Sequence, residues 1–299
     1  MSTTEEGHFK QGGVSLYTKT WTPTGPIKAK LIFIHGFSEH INRYNPFFPK
    51  LNEAGIQVFG FDQRGWGKST TNKAEWGLTG PTSLVISDVA AFIEDKLPSD
   101  VPVFVMGHSM GGGEVITLAA DPKYAKLVKQ IRGWLLDAPF IGFPANEAPS
   151  SIKIFLGRLV GRLLPRQQLK HVIPLEYLSR DPAIAEEIRN DPLCHNTGTL
   201  EGLASLLDRT GALSSGAVKL GSDVSFFIAH GTEDKACSYD ASKKFYEEQS
   251  ATDKTHKTYE GAFHQIHADT CKEDFTKDVI DWINARCENR ESVPAESKL

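Results

Sequence analysis

Residues 103–115 read VFVMGHSMGGGEV. Five mostly apolar residues run into a turn of small ones, with Ser109 at its centre. VFVM has the character of a strand and GGGEVITLAA that of a helix. Between them, Gly107-His108-Ser109-Met110-Gly111 spells G-x-S-x-G. A strand-to-helix turn this sharp forces the serine into a strained backbone and leaves its Oγ exposed. Glycines on both sides let neighbouring backbone pass close. The helix that follows aims its first N–H groups at the same place, which favours developing negative charge. In a chain with 26 glycines the pattern alone is weak, and a serine at such a turn also serves as an N-cap. The strand before it and the helix after it make Ser109 a candidate nucleophile.

Outward from this turn, short apolar runs alternate with helical patterns. The strand candidates are KLIFIHG, IQVFGFD, PVFVMGH, IRGWLLDAP, VSFFIAHG and KTYEG. Most are apolar throughout rather than alternating, as expected of strands covered on both faces. Ahead of them, HFKQGGVSLYTKTW has strand-like halves around Gly12-Gly13 and suggests a hairpin. Between the strands, SLVISDVAAFIEDKL places Val85, Val89, Phe92, Ile93 and Leu97 on one helical face. YDASKKFYEEQS and CKEDFTKDVIDWINARC are later helices. The alternation predicts an α/β fold, a mostly parallel central sheet flanked by helices. The rhythm breaks between about Pro139 and Gly221, where helical signals replace strand signals. The expected division is a single domain with a core of about 8–138 and 222–290, a helical cap insertion of about 139–221, and a disordered tail at 291–299.

The chain has 299 residues, 40% hydrophobic and 23% charged, so one large α/β domain can bury a sizeable core. Its net charge of -4 argues against a nucleic-acid partner, which would require a basic excess. The start, MSTTEEGHFK, has no apolar signal-peptide core, and no stretch approaches the roughly 20 apolar residues that span a bilayer. Cys194, Cys237, Cys271 and Cys287 show no CxxC pairing and read as free thiols of a reducing compartment. The final Ser297-Lys298-Leu299 matches the tripeptide that the peroxisomal import receptor reads, and the polar ENRESVPAE before it suits exposure.

A serine nucleophile needs a base, and the base an orienting acid, here in the chain order Ser, Asp or Glu, His. FFIAHGTEDKACS puts Asp234 in the loop after a strand, and KTYEGAFHQIH puts His264 in the loop after the next. Both fall at carboxyl ends of strands, where open α/β sheets build their sites. Asp137, which also ends a strand, is a competing acid. His267, a helical turn beyond His264, is a competing base, and His256 is a weaker one. The expected oxyanion donors are the N–H groups of Met110 and Phe37. GWGKST lacks the first glycine of a phosphate loop, since Asp62 stands in its place, and reads as structural. No HExxH and no Cys/His set with zinc spacing occurs, so neither metal nor cofactor is expected.

FIHGFSEHINRY, FDQRGWGKS, GHSMGG, HGTEDKACS and EGAFHQIH, in this order, resemble the monoacylglycerol lipases of the α/β-hydrolase fold. The likeness runs from about Lys10 to Trp282 and is loosest in the cap. The resemblance implies a triad of Ser109, Asp234 and His264, with Phe37 and Met110 at the oxyanion hole. It also implies that Glu39, Arg43 and His267 bind glycerol hydroxyls, which a carboxylate, a guanidinium and an imidazole can match. A local ion pair is the other reading of Glu39 and Arg43. Cys237 matches a family cysteine near the site and implies sensitivity to thiol reagents. Phe37 and Ser38 stand where the family often has smaller residues, so the acyl entrance is expected to be narrowed.

The function expected is hydrolysis of monoacylglycerol to fatty acid and glycerol. The nearest alternatives are a thioesterase or acyltransferase using the same machinery on another acyl group. A non-catalytic ligand-binding protein is a further one. An epoxide hydrolase would carry an aspartate at position 109. In the cap, IKIFLGRLVGRLLP sets Phe155, Leu156, Leu159, Val160, Leu163 and Leu164 beside Arg158 and Arg162. Pro165 should end that helix. The stripe is expected to pack over the sheet with a solvated basic edge; contact with a membrane or lipid droplet is the functional alternative.

Overall fold

The computed structural model describes residues 2–70, 72–145, 150 and 158–288. Its centre is an eight-stranded sheet. The strands are β1 (Ser2–Gln11), β2 (Val14–Pro23), β3 (Ala29–Ile34), β4 (Ile56–Phe61), β5 (Val103–His108), β6 (Gly133–Asp137), β9 (Phe226–Gly231) and β10 (Lys254–Tyr259). They lie in the order β1-β2-β4-β3-β5-β6-β9-β10. β1 and β2 form the hairpin, turned by Gly12 and Gly13, both with positive φ. β1–β2 and β2–β4 are antiparallel, and the neighbouring pairs from β4 to β10 are parallel.

β5, β6 and β9 are buried at every residue, because helices cover both faces. One face carries α2 (Thr82–Glu94), α3 (Met110–Ala120) and α8 (Tyr239–Glu248). α2 turns Val85, Ile86, Val89, Phe92 and Ile93 into that core, together with Ile32, Val105 and Ile228 from the strands. The other face carries α1 (Phe48–Glu53) and α9 (Lys272–Glu288), with Phe48, Leu51, Phe275, Val279 and Ile283 packed on Leu31, Phe33 and Leu135. A short α4 (Ala125–Val128) leads into β6. β10 is an edge strand with exposed Lys257 and Thr258, which discourages pairing with a further strand.

The segment between β6 and β9 lies outside the sheet. It contains helical residues 158–163 (α5), β7 (Gln168–Lys170), α6 (Pro182–Asn190), β8 (Thr197–Thr199) and α7 (Leu200–Ser214). β7 and β8 form a two-stranded antiparallel ribbon. At three residues each they carry no readable strand pattern, so the sequence reads the interval as helical. α7 lies on the core through α2 and α3. α5 ends before Pro165 as expected, but its apolar stripe does not pack over the sheet. Leu159, Val160, Leu163 and Leu164 are 48%, 42%, 75% and 54% exposed. Arg158 pairs with Asp208 of α7 rather than fringing a buried stripe. Phe155, Leu156 and the tail at 291–299 lie outside the described residues.

The loop containing Gly67-Lys68-Ser69 is structural. Asp62 accepts hydrogen bonds from the N–H groups of Ile41 and Lys68, and Ser69 Oγ donates to the Asp62 carbonyl.

Candidate active site

Ser109 lies at the break between β5 and α3 with φ 53° and ψ -117°. Local packing enforces this strained geometry. A Cβ on Gly107 would stand 2.4 Å from the Gly111 carbonyl oxygen, and one on Gly111 would stand 2.3 Å from that of Ile34. Only glycines let the helix start this close to the sheet. The Ser109 N–H donates to the Asp137 carbonyl, and its own carbonyl accepts from Phe140 and Gly113. The side chain is left free to react.

His264 Nε2 is 2.9 Å from Ser109 Oγ, and His264 Nδ1 is 2.8 Å from Asp234 Oδ2. The other oxygen of Asp234 accepts from the N–H groups of Ala236 and Cys237. His230 Nε2 lies 3.0 Å from Oδ2. Burial pushes the Asp234 carboxyl up, but His264 and then His230 overcome it and hold it below the ordinary carboxylate range. An aspartate kept charged beside Nδ1 fixes the tautomer that presents Nε2 to the serine as a proton acceptor. Cys237 Sγ sits 3.8 Å from Ser109 Oγ, and burial holds its thiol well above the ordinary range, so it is protonated.

The loop after β3 closes against this turn. A Cβ on Gly36 would stand 3.2 Å from Ser109 Cβ. Phe37 and Met110, the two expected oxyanion donors, follow Gly36 and Ser109 directly. Neither N–H donates a hydrogen bond among the described residues, so both remain available to an incoming oxyanion. Ser38 adopts φ 57°, and its Oγ accepts from the Asn196 N–H of the cap.

A narrow cavity opens above Ser109. Glu39, Arg43, Asn196, His264 and Gln265 give it a polar side, and Ile173, Leu175, Leu178 and Ile188 of the cap give it an apolar roof. Glu39 accepts from Gly36 N–H, from Tyr44 Oη at 2.6 Å and from Gln265 Nε2. Burial works against its charge, but His108, Arg43 and His267 hold its pKa down at about 2. The Arg43 Nε is 4.0 Å from Glu39, buried, and without a hydrogen-bond partner. Arg43 therefore faces the cavity as a cation with unused donors.

His267 stands apart. Its Nδ1 lies 2.7 Å from Asp137 Oδ2, its ring is tilted against that of Tyr44 at 4.6 Å, and it does not line the cavity. Asp137 Oδ2 is also 3.0 Å from His108 Nδ1. The competing acid and the competing base are thus partners of each other in a second buried network behind the first. His256 is on β10, away from Ser109. His230, Gln265 and the cap residues were not singled out in the sequence. His230 closes the run FFIAHG, where its position at a strand end was the available signal.

The cap touches both catalytic loops. The N–H groups of His264 and Gln265 donate to the carbonyls of Tyr177 and Leu178, at 3.4 and 2.7 Å. His40 Nε2 lies 2.7 Å from Asp191 Oδ2.

Comparison with known proteins places this geometry. Residues 25–271 match the Hydrolase_4 family model, described as serine aminopeptidase, S33. The putative monoglyceride lipase of Schizosaccharomyces pombe is 31% identical over 95% of this chain and 75% of its own length. The monoglyceride lipase of Mus musculus is 28% identical over 93% of this chain and 88% of its own. A soluble variant of the Saccharomyces cerevisiae monoglyceride lipase, solved with a substrate analogue, superposes with a TM-score of 0.86 at 24% identity, covering 96% and 97% of the two chains. The monoacylglycerol lipase of Paleococcus ferrophilus gives 0.77 at 25% identity over 91% and 99%.

Proposed function

This chain belongs to the Hydrolase_4 family of serine hydrolases, with the monoglyceride lipases among its relatives, and from that membership we propose that it cleaves monoacylglycerol to fatty acid and glycerol. Ser109 Oγ attacks the ester carbonyl as His264 Nε2 takes its proton. The developing oxyanion is received by the Phe37 and Met110 N–H groups, each donor being worth about 3 kcal/mol in such sites. His264 returns the proton to the departing glycerol oxygen, and water then releases the acyl group by the same steps in reverse. Asp234 orients the imidazole throughout. Arg43 and Glu39 lie on the side where the glycerol departs; Arg43 has the free donors to hold a hydroxyl, whereas Glu39 is largely engaged internally. The observation that carries the reading is the 2.9 Å approach of His264 to a serine on a strained turn inside a cavity.

The exposed apolar residues of α5 and the nearby Val172, 62% exposed, support docking of the cap on a membrane or droplet surface. Ser297-Lys298-Leu299, outside the described residues, supports delivery to peroxisomes through the import receptor. A fluorescent fusion lacking these three residues should change from punctate to diffuse in cells.

Purified protein assayed on monoacylglycerol, acyl-CoA and short esters tests the reaction. Wild type should hydrolyse monoacylglycerol and label with a fluorophosphonate, and Ser109→Ala should do neither. Labelling combined with turnover of acyl-CoA alone would overturn the substrate assignment.

A further inference from the structure

The acid of the triad carries a second imidazole. His230 Nε2 lies 3.0 Å from Asp234 Oδ2, the same oxygen that His264 Nδ1 meets at 2.8 Å. Only His264 takes part in the proton transfers. His230 does not line the cavity above Ser109.

The two partners, His230 and Asp234, stand on different supports. His230 belongs to β9, which is paired on one side with β6 and on the other with β10, where Thr258 is its partner in register. Its side chain is fully buried, and its ring meets that of Tyr239 of α8 edge-on at 6.0 Å. Asp234 belongs to the loop that follows. The N–H groups of Ala236 and Cys237 hold its Oδ1 at 2.8 and 2.9 Å, but they lie on that same loop. Of the hydrogen bonds to the Asp234 carboxylate among the described residues, the one from His230 comes from a strand. Side chains on strands hold a geometry more closely than side chains on loops.

The neighbours of His230 also decide which ring nitrogen carries the hydrogen. Nε2 faces two acceptors, Asp234 Oδ2 and, at 3.4 Å, the Cys237 carbonyl. Nδ1 is buried and has no partner among the described residues. Nε2 is therefore the donor, and it reaches across the turn from the acid to Cys237, whose Sγ is 3.8 Å from Ser109 Oγ. The bare Nδ1 costs stability, as a buried unmet acceptor does. An apolar residue would fill this core position without that cost, so the imidazole is accounted for by its other nitrogen.

Building on the proposed acyl-enzyme mechanism, we infer that His230 is a positioning residue whose N–H ties Asp234 Oδ2 to the sheet and keeps that oxygen on His264 Nδ1 as the imidazole becomes charged. When Ser109 Oγ bonds to the ester carbon, its proton passes to His264 Nε2, and the positive charge that forms is met through Nδ1–H by Oδ2. That hydrogen bond weakens steeply when misaligned. A loop carboxylate fixed through Oδ1 alone can swing its other oxygen, and a donor mounted on β9 prevents the swing.

His230→Leu, His230→Asn and His230→Gln test this on monoacylglycerol and on a short soluble ester. In His230→Gln the amide nitrogen stands as many bonds from Cβ as Nε2 does, so the donor is kept. In His230→Asn it stands only as far out as Nδ1, and His230→Leu keeps bulk alone. Rates are normalised to sites titrated to completion with a fluorophosphonate, so that unfolded protein does not count. His230→Leu and His230→Asn should lower kcat by about tenfold or more with KM changed less than about twofold, and His230→Gln should restore most of the loss. His264 serves both acylation and deacylation, so kcat falls whichever step limits. A histidine that only packs would change the melting temperature and the number of titratable sites, not kcat per site. Wild-type kcat in His230→Leu and His230→Asn, or His230→Gln as slow as they are, would overturn the inference. Wild type that turns over the short ester but not monoacylglycerol would overturn the proposed substrate, and the short ester would still decide the role of His230. Wild type that hydrolyses neither would overturn the esterase reading, and the inference with it.

Discussion

Asp137 and Asp234 stand at the ends of the neighbouring strands β6 and β9, both fully buried and both bonded to two histidines. Their histidines differ, and so should the consequences of neutralising them. Asp234→Asn should lower kcat about ten-thousand-fold with little change in KM, because Nδ1 of His264 loses the group that fixes its tautomer. Among the described residues, the carboxylate altered in Asp137→Asn pairs with His108 and His267. It should cost about 1–3 kcal/mol of stability and less than roughly tenfold in kcat. Steady-state kinetics and chemical denaturation on the two variants separate the roles; a catalytic collapse in Asp137→Asn would reverse the assignment. Gly111→Ala tests the turn, since its Cβ would meet the Ile34 carbonyl oxygen at 2.3 Å. It should destabilise the protein by about 1–3 kcal/mol and reduce fluorophosphonate labelling. These residues were readable before any coordinates because their signals are local. A serine between a strand and a helix announces itself within nine residues, and Asp234 and His264 each follow a strand. The partners that complete them were not readable. His230 reaches Asp234, and Gln265 reaches Glu39 from 226 positions away, through contacts that exist only once the loops have been brought together.

Among the elements, α3 and α7 are joined by the Glu114–Arg209 pair, which gives that joint a pH dependence. Burial, only partly offset by Arg209, pushes the Glu114 pKa from an ordinary 4.5 to about 7. Between those values the folded chain holds a proton that the unfolded chain has released, so stability falls as pH rises through this window. The loss is bounded at about 3 kcal/mol. Thermal melts of wild type and Glu114→Gln across pH 4.5–7.5 should show the decline in the first and its absence in the second. Parallel curves would mean that Arg209 keeps the carboxylate charged throughout. Core elements were legible because a buried strand is continuously apolar and a covering helix repeats at i, i+3 and i+4, as in Val85 to Ile93. The cap was less so. β7 and β8 are three residues long and polar, too short to show any period, and α5 has the sequence of a packed helix while its leucines face outward.

For the molecule as a whole, the sheet supplies a fixed platform and the cap a surface with a different character. Leu159, Leu163 and Leu164 are exposed side by side. Leu163→Glu/Leu164→Glu should reduce cosedimentation with anionic liposomes at least severalfold while leaving turnover of a short soluble ester unchanged. Undiminished binding would place lipid contact elsewhere. Arg158→Glu/Arg162→Glu should weaken the same binding in a salt-dependent way.

The roof over Ser109 is bonded to the two loops that carry out the chemistry. Leu178 holds the loop of the catalytic base through Gln265, and Asn196 holds the loop of the oxyanion donor through Ser38. Any lifting of that roof wide enough to pass a chain must release those bonds, so the molecule trades access against readiness. Loading and unloading would happen in a slack state, and bond cleavage in a taut one.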